Sequence, residues 1–269
     1  MLEIEWLLAF LALGTVVGFF AGLLGVGGGS IMVPVLTTLF AQLQFPQDRI
    51  VHLALATSMT AIVATSISSL RSHHAHGGVL WPVVWRMTPG IVIGTFAAAY
   101  LATWISSRAL ALFFAAFMAY VALQMLLNIK PTPQRQLPGT WGLMGIGGII
   151  GGISALVAIG GGTLSVPFLG NCNVRMQQAI GTSAALGLPI AVAGTLGYLV
   201  SGWHMADMPA FTLGYIYLPA VVGIMLTSVL TAPFGARLAH RLPVATLKKL
   251  FALLLIGLSA RMLYTVYAL

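Results

Sequence analysis

Residues 14–36 read GTVVGFFAGLLGVGGGSIMVPVL, and residues 147–169 read GGIIGGISALVAIGGGTLSVPFL. The two stretches align without a gap. Gly27, Gly28 and Gly29 fall on Gly160, Gly161 and Gly162, Ser30 on Thr163, and Pro34 on Pro167. In both copies a glycine triplet follows a run of nearly pure hydrocarbon side chains. Glycine costs about 1 kcal/mol in a helix interior, so three together break a helix. Lipid cannot pair the backbone groups that such a break frees, so each break must be buried in protein or face a watery cavity. The spacing of Gly14, Gly18 and Gly22 suits close packing of helices in lipid. Packing alone does not explain a triplet that occurs twice.

The surrounding composition is that of a membrane protein. Of 269 residues, 59% are hydrophobic and 6% charged, and the mean hydropathy is +1.01. Soluble domains carry about 25% charged residues. The net charge of +8 comes from basic residues set singly between apolar runs, which makes no nucleic-acid-binding stripe. The single cysteine, Cys172, excludes an internal disulfide and a multi-cysteine metal or iron–sulfur site. The N-terminus opens with Glu3 and Glu5, unlike the basic start of a cleaved signal, so the first apolar run is expected to be retained.

Apolar runs fall at 6–24, 30–43, 51–70, 80–104, 108–128, 141–158, 162–170, 178–201, 209–232 and 245–267. A crossing needs about 20 residues, so 30–43 and 162–170 read as half-helices or hairpin arms. The connector NIKPTPQRQLPG (128–139), with three prolines, marks a linker that divides the chain almost in half. A first transmembrane repeat is expected over 1–128, a cytoplasmic linker over 129–139 and a second repeat over 140–269. The likeness extends past the triplets: Thr57 and Ser58 in ATSMTAIVATSISSLRSHHAHGG (56–78) pair with Thr182 and Ser183 in GTSAALGLPIAVAGTLGYLVSG (181–202).

Charge orients the halves. With five segments in each half, an odd number, the halves insert upside down relative to one another. One side then carries Arg71, Lys130, Arg135, Arg175, Arg237, Arg241, Lys248 and Lys249; the other has Arg49, Arg108 and all four acids, Glu3, Glu5, Asp48 and Asp207. Counting four crossings per half gives a weaker split. The positive-inside rule favours the first arrangement, with both termini periplasmic and residues 128–139 and 233–246 cytoplasmic. The expected fold is an all-α polytopic membrane protein of two inverted repeats, each with a glycine-broken half-helix or hairpin plus three spanning helices.

Inverted halves with broken helices at matching positions form the pattern of secondary transporters. A half-helix starting at each triplet aims unpaired N–H groups and a partial positive charge at the axis between the halves. An anion placed there would satisfy those donors. Ser30 and Thr163 stand where an N-cap hydroxyl would be, able to cap the helix or to contact a ligand. Pro34 and Pro167 are expected in or beside the first turn, where a missing N–H costs little. The hydroxyls of Thr57, Ser58, Thr182 and Ser183 either bond back to their own helix carbonyls or serve as neutral donors to the anion.

The two GGG blocks, the paired TS dipeptides and the later glycines Gly77 and Gly202 resemble the TauE/SafE family of sulfite and organosulfonate exporters. The resemblance covers nearly the whole chain. It implies an inner-membrane carrier of small sulfur-containing anions such as sulfite or sulfoacetate.

No Asp or Glu lies deep in a span, whereas proton and cation pumps place a carboxylate there. His52 remains as a residue that could carry a proton. Arg261, in LLLIGLSARMLYTVYAL, either snorkels to the outer interface or supplies the fixed positive charge that attracts the anion. Arg86 reads as an inner-interface marker. RSHHAHGG (71–78) gathers His73, His74 and His76 without carboxylate or cysteine partners, and is expected to be an ordinary polar loop. The expected function is therefore a secondary carrier, with an anion channel or a histidine-box membrane enzyme as alternatives. Membrane lipid and a small anion are the expected partners; no cofactor, metal or nucleic acid is implied, and a homodimer stays open.

Overall fold

The computed structural model describes residues 4–24, 28–127, 136–205, 208–239 and 244–268, with backbone alone at 22–24, 235–239 and 244–248. Gly27 and most of the linker lie outside the described residues. Among the described residues ten helices follow one another: α1 Ile4–Leu24, α2 Gly29–Gln42, α3 Ile50–Ala75, α4 Trp81–Ala102, α5 Ser107–Leu126, α6 Thr140–Val157, α7 Gly162–Asn171, α8 Met176–Gly202, α9 Leu218–Ala239 and α10 Val244–Ala268. Five precede the linker and five follow it. The short members, α2 with 14 residues and α7 with 10, each begin at a glycine triplet.

Three expectations need correction. The run 209–232 does not start as a helix: strands β1 Thr212–Leu213 and β2 Ile216–Tyr217 pair antiparallel ahead of α9. Gly214, at φ +58°, takes the left-handed first position of the two-residue turn. Nor is 71–78 a loop throughout, because α3 continues to Ala75 and carries His73 and His74 in its last turn. Similarly, Pro233 and the residues to Ala239 belong to α9 rather than to a connecting loop.

Six of the described helices, α1, α3, α5, α6, α8 and α10, are long and apolar enough to cross a membrane. At 22 residues α4 has the length, but Arg86 and two prolines dilute its apolar character. The centre of the bundle is α3, with 72% of its span buried, against α8, with 56% buried; only 28% of the α1 span is buried. Apolar side chains on the outer helices, such as Leu8, Ile93, Leu112 and Leu253, stay exposed, as a lipid-facing surface requires.

Packing links each half to the other more than to itself. Helix α1 lies chiefly on α9, and α6 chiefly on α4. Gly14 faces Ile224 and Thr227, and Gly18 faces Ser228 and Thr231, so α1 and α9 run in the same direction. Gly90 faces Met144 and Gly151 faces Ile91 and Thr95, which sets α4 and α6 parallel in the same way. A Cβ on any of these glycines would overlap the neighbouring backbone, so the Gly-xxx-Gly spacing does serve close packing. The Thr227 hydroxyl seals the first seam by donating to the Leu11 carbonyl at 2.8 Å. In the centre the direction reverses: Met59 meets Gly194, Ser66 meets Gly187 and Gly78 meets Gly181, so α3 and α8 are antiparallel.

Candidate functional site

The two triplets open their half-helices with the same local geometry. Gly28 stands at φ +74° and Gly161 at φ +79°, both left-handed and both immediately before a helix. That conformation suits glycine and strains other residues. In α2 the N–H groups of Ile31 and Met32 return to the Gly28 carbonyl; in α7 those of Leu164 and Ser165 return to the Gly161 carbonyl. The N–H groups of the first two helical residues, Gly29 and Ser30, and likewise Gly162 and Thr163, have no carbonyl ahead of them within the helix. Neither helix has a side-chain cap. Pro34 and Pro167 stand at the sixth helical position, a turn later than the sequence suggests. Each therefore removes the N–H that would have met the carbonyl of Ser30 or Thr163.

The fold brings the two helix starts to the middle of the bundle. Gly29 sits against the carbonyl of Ala158, the C-cap of α6, and beside Ile62 of α3. Gly160 lies against Gly187 of α8. The hydroxyls of Ser30, Thr163, Ser58 and Ser183 are buried without a hydrogen-bond partner. So is Ser165, one turn into α7. An unpaired buried hydroxyl costs about 1–3 kcal/mol, and five of the eight found among the described residues belong to the triplet helices and the TS pairs.

The threonines of the TS pairs have another task. Thr57 Oγ1 accepts the Tyr217 N–H at 3.1 Å, and Thr182 Oγ1 accepts the Leu80 N–H at 3.0 Å. Tyr217 immediately precedes α9 and Leu80 immediately precedes α4. Each threonine thus caps a helix of the opposite half, satisfying an N–H that the helix cannot pair itself. Neither hydroxyl bonds back to its own helix. The serine of each pair is the member left without a partner.

A cavity of about 370 Å³ opens at one triplet. Gly160, Gly162 and Gly187 line it level with Ser66, Ser183 stands one turn of α8 closer to the C-terminal end of α3, and Ala21, Val229, Ala232 and Pro233 form an apolar wall. The facing wall is a row of hydroxyls on α3: Thr65, Ser66, Ser68, Ser69 and Ser72, followed by His73. Ser66 is buried, Ser69 half-buried and Ser72 exposed, so the cavity widens toward the C-terminal end of α3. Pro233 contributes more than bulk, because it removes the N–H that would have met the Val229 carbonyl on the same wall. Gly28, Gly29, Ser30, Thr57 and Ser58 are near the centre but do not line this cavity.

Sequence reasoning missed the α3 wall. Its signal was present: hydroxyls at 65, 68, 69 and 72 keep the i, i+3, i+4, i+7 spacing of one helix face. Their counterparts in α8 are Ile190, Ala193, Gly194 and Gly197, so the alignment of halves hid the feature. Arg261 is exposed on α10 and does not line the cavity. Nor does His52. Its Nε2–H donates to the carbonyls of Ala102 at 3.0 Å and Ile105 at 3.1 Å, and its ring stacks on Tyr215.

The end of the bundle near Thr57 carries an aromatic cluster. Phe10, Phe40, Phe45 and Tyr217 form a cluster with ring centroids 5.0–5.9 Å apart. Such edge and stacked pairs add about 0.5–1.5 kcal/mol each beyond area burial.

Apolar spans, an exposed apolar surface and relatives described as membrane transporters define a multi-pass bacterial membrane protein of a transporter class. Residues 10–262 match the sulfite exporter TauE/SafE family, and the chain belongs to that family. It is 38% identical over 262 residues to a "Probable membrane transporter protein" of Haemophilus influenzae, covering 96% of this chain and 98% of the relative. A probable membrane transporter protein of Bacillus subtilis is 27% identical over 260 residues, with 90% and 92% covered. One of Methanocaldococcus jannaschii is 24% identical over 250 residues, with 90% of each covered. No solved structure matches the chain.

Proposed function

We propose that the protein is a secondary carrier that moves small sulfur-containing anions, such as sulfite, sulfoacetate or related organosulfonates, out of the cell by alternating access. One observation carries this reading: the N-terminus of α7 and Ser183, whose hydroxyl has no partner among the described residues, line the same hydroxyl-walled cavity. Helix N-terminal N–H groups and free hydroxyls complement an anion, and the described cavity wall offers no carboxylate to repel it. The family name supports sulfite as a substrate and export as the direction.

Alternating access is supported by the packing. Reciprocal pairing of α1 with α9 and of α6 with α4, both parallel, and the antiparallel α3–α8 core are what two inverted halves would produce. The cavity opens toward the end of α3 that carries Arg71 and the end of α8 preceded by Arg175, the cytoplasmic side by the positive-inside rule. This conformation is then the inward-facing one. In it α7 supplies the exposed helix start, while α2 waits beneath Ala158 for the opposite state.

Reconstituted protein should show saturable sulfite or sulfoacetate flux that is stimulated by the same anion on the far side. Flux that rises linearly with concentration and ignores the far side would replace the carrier with a channel. Absence of anion binding at any concentration tested would remove the anion reading itself.

A further inference from the structure

Among the described residues that line the cavity, His73 alone is ionisable. It lies seven residues beyond Ser66, which is level with Gly160 and Gly187. Seven residues span roughly 10 Å of helix, which places the imidazole near the mouth, with the helix N-terminus at the inner end. The ring is half-buried. No hydrogen bond commits it, whereas its neighbours are occupied: His74 Nδ1 accepts from Trp81 Nε1 at 3.3 Å, and His76 Nδ1 donates to the Ser72 carbonyl at 2.7 Å.

We propose that His73 is the ionisable member of the anion site and that each anion entering the cavity is accompanied by a proton held on its imidazole. This rests on the carrier reading above. The remainder of the cavity offers only dipoles: hydroxyls, N–H groups and the start of α7. A full positive charge next to a bound anion in a partly dehydrated space stabilises it more than those dipoles alone. Among the described residues few other charges compete. The wall from α1 and α9 presents Ala21, Val229, Ala232 and Pro233, and the start of α7 has no charged residue. On α3 itself Arg71 and His74 are exposed, and Arg175 before α8 and Arg86 on α4 are exposed too, where water screens them; His76, just beyond α3, is close enough for its charge to oppose that of the His73 ring. Among the described acids, Asp48 is paired with Arg49 at 3.3 Å, at the other end of α3.

Binding and protonation are then coupled reciprocally: the anion favours the imidazolium, and the imidazolium favours the anion. The proton comes from water at the open side, rests on a ring nitrogen during occupancy and returns to water with the released anion. No covalent bond other than that N–H is made or broken. Imidazole suits the task because it changes charge between pH 5 and 8.

The test uses methanesulfonate, which has no proton of its own to exchange in this range. Calorimetric titration of the purified full-length protein in two buffers of different ionisation enthalpy counts the protons taken up per anion. The wild type should take up between zero and one proton at pH 7, and its affinity should fall about tenfold from pH 5.5 to 7.5. His73→Gln should bind with no proton uptake and a flat pH profile, and His73→Asn should repeat this should the glutamine variant fail to fold. His74→Gln and His76→Gln should behave as the wild type. Wild-type binding without proton uptake, or uptake that survives in H73Q, would overturn the assignment and leave the carrier reading standing. Failure of the wild type to bind methanesulfonate and sulfite at every pH would overturn both.

Discussion

Replacing Ser183 with alanine separates a packing role from a ligand role by the sign of two effects. The Ser183 hydroxyl is 1% exposed, lacks a partner among the described residues and lines the same cavity as Gly160 and Gly162. In the empty protein it is a buried polar group with an unmet hydrogen bond, which costs about 1–3 kcal/mol. Removing it while keeping the Cβ leaves folding unharmed or improved. With an anion bound, the same hydroxyl would donate to a charged acceptor, an interaction worth about 1.5–3 kcal/mol. Ser183→Ala should therefore melt at or above the wild-type temperature yet bind sulfite or sulfoacetate roughly 10- to 150-fold more weakly. Thermal unfolding in detergent and calorimetric titration of the same preparation measure both. A variant that keeps the wild-type Kd would refute the site, and one that loses stability would show that the hydroxyl has a structural partner.

Gly28→Ala and Gly161→Ala place a Cβ at positive φ, which costs about 1–2 kcal/mol, and bring it within 2.5 Å of Val17 Cγ1 or 2.6 Å of Ile190 Cδ1. Both should lower the melting temperature, while Gly145→Ala and Gly257→Ala, where nothing lies within 4 Å, should raise it or leave it unchanged; the reverse order would contradict the backbone geometry. Thr57→Val and Thr182→Val each strand a buried N–H at a helix start and should cost about 1–3 kcal/mol, with serine in place of threonine recovering most of the loss. For sidedness, cysteines at the exposed positions 76 and 104 should differ: an impermeant thiol reagent applied to intact cells should modify position 104 and spare position 76 until the membrane is opened. Labelling of 76 alone would turn the protein over.

The repeat made much of this fold legible. A gapless match between 14–36 and 147–169 places both half-helices, and hydrocarbon runs locate the described helices to within a few residues, except at both ends of α9 and the C-terminal end of α3. Before α9 the stretch TLGYIY (212–217) is as apolar as a span, and hydropathy does not distinguish a buried hairpin from a helix end. At the site, symmetry matched the triplets and the TS pairs but did not distinguish the two members of each pair: the threonine oxygen accepts an N–H from a distant helix start, and the serine hydroxyl has no partner among the described residues. Which of two adjacent hydroxyls finds a partner depends on an N–H brought from another part of the chain, Tyr217 for Thr57 and Leu80 for Thr182, and no local pattern encodes that. The α3 hydroxyl row escaped for a related reason: it has no echo in the second half, so a reading built on repetition passed over it.

The seam between α1 and α9 also sets a timetable for biogenesis. Gly14 waits for Ile224 and Thr227, more than 200 residues later in the chain. At ribosomal speeds of about 5–20 residues per second, α1 spends roughly 10–40 s in the bilayer before its partner is made. Throughout that interval its glycine face is a notch that any passing helix with small residues can occupy. The α4–α6 seam is made far sooner, since Gly90 and Met144 are separated by a linker and one helix. The second seam can thus form while the ribosome is still working, leaving the first segment to be recruited last. A chain truncated before α9 should accordingly hold an inserted but unclaimed α1, the form most exposed to membrane proteases and to wrong partners.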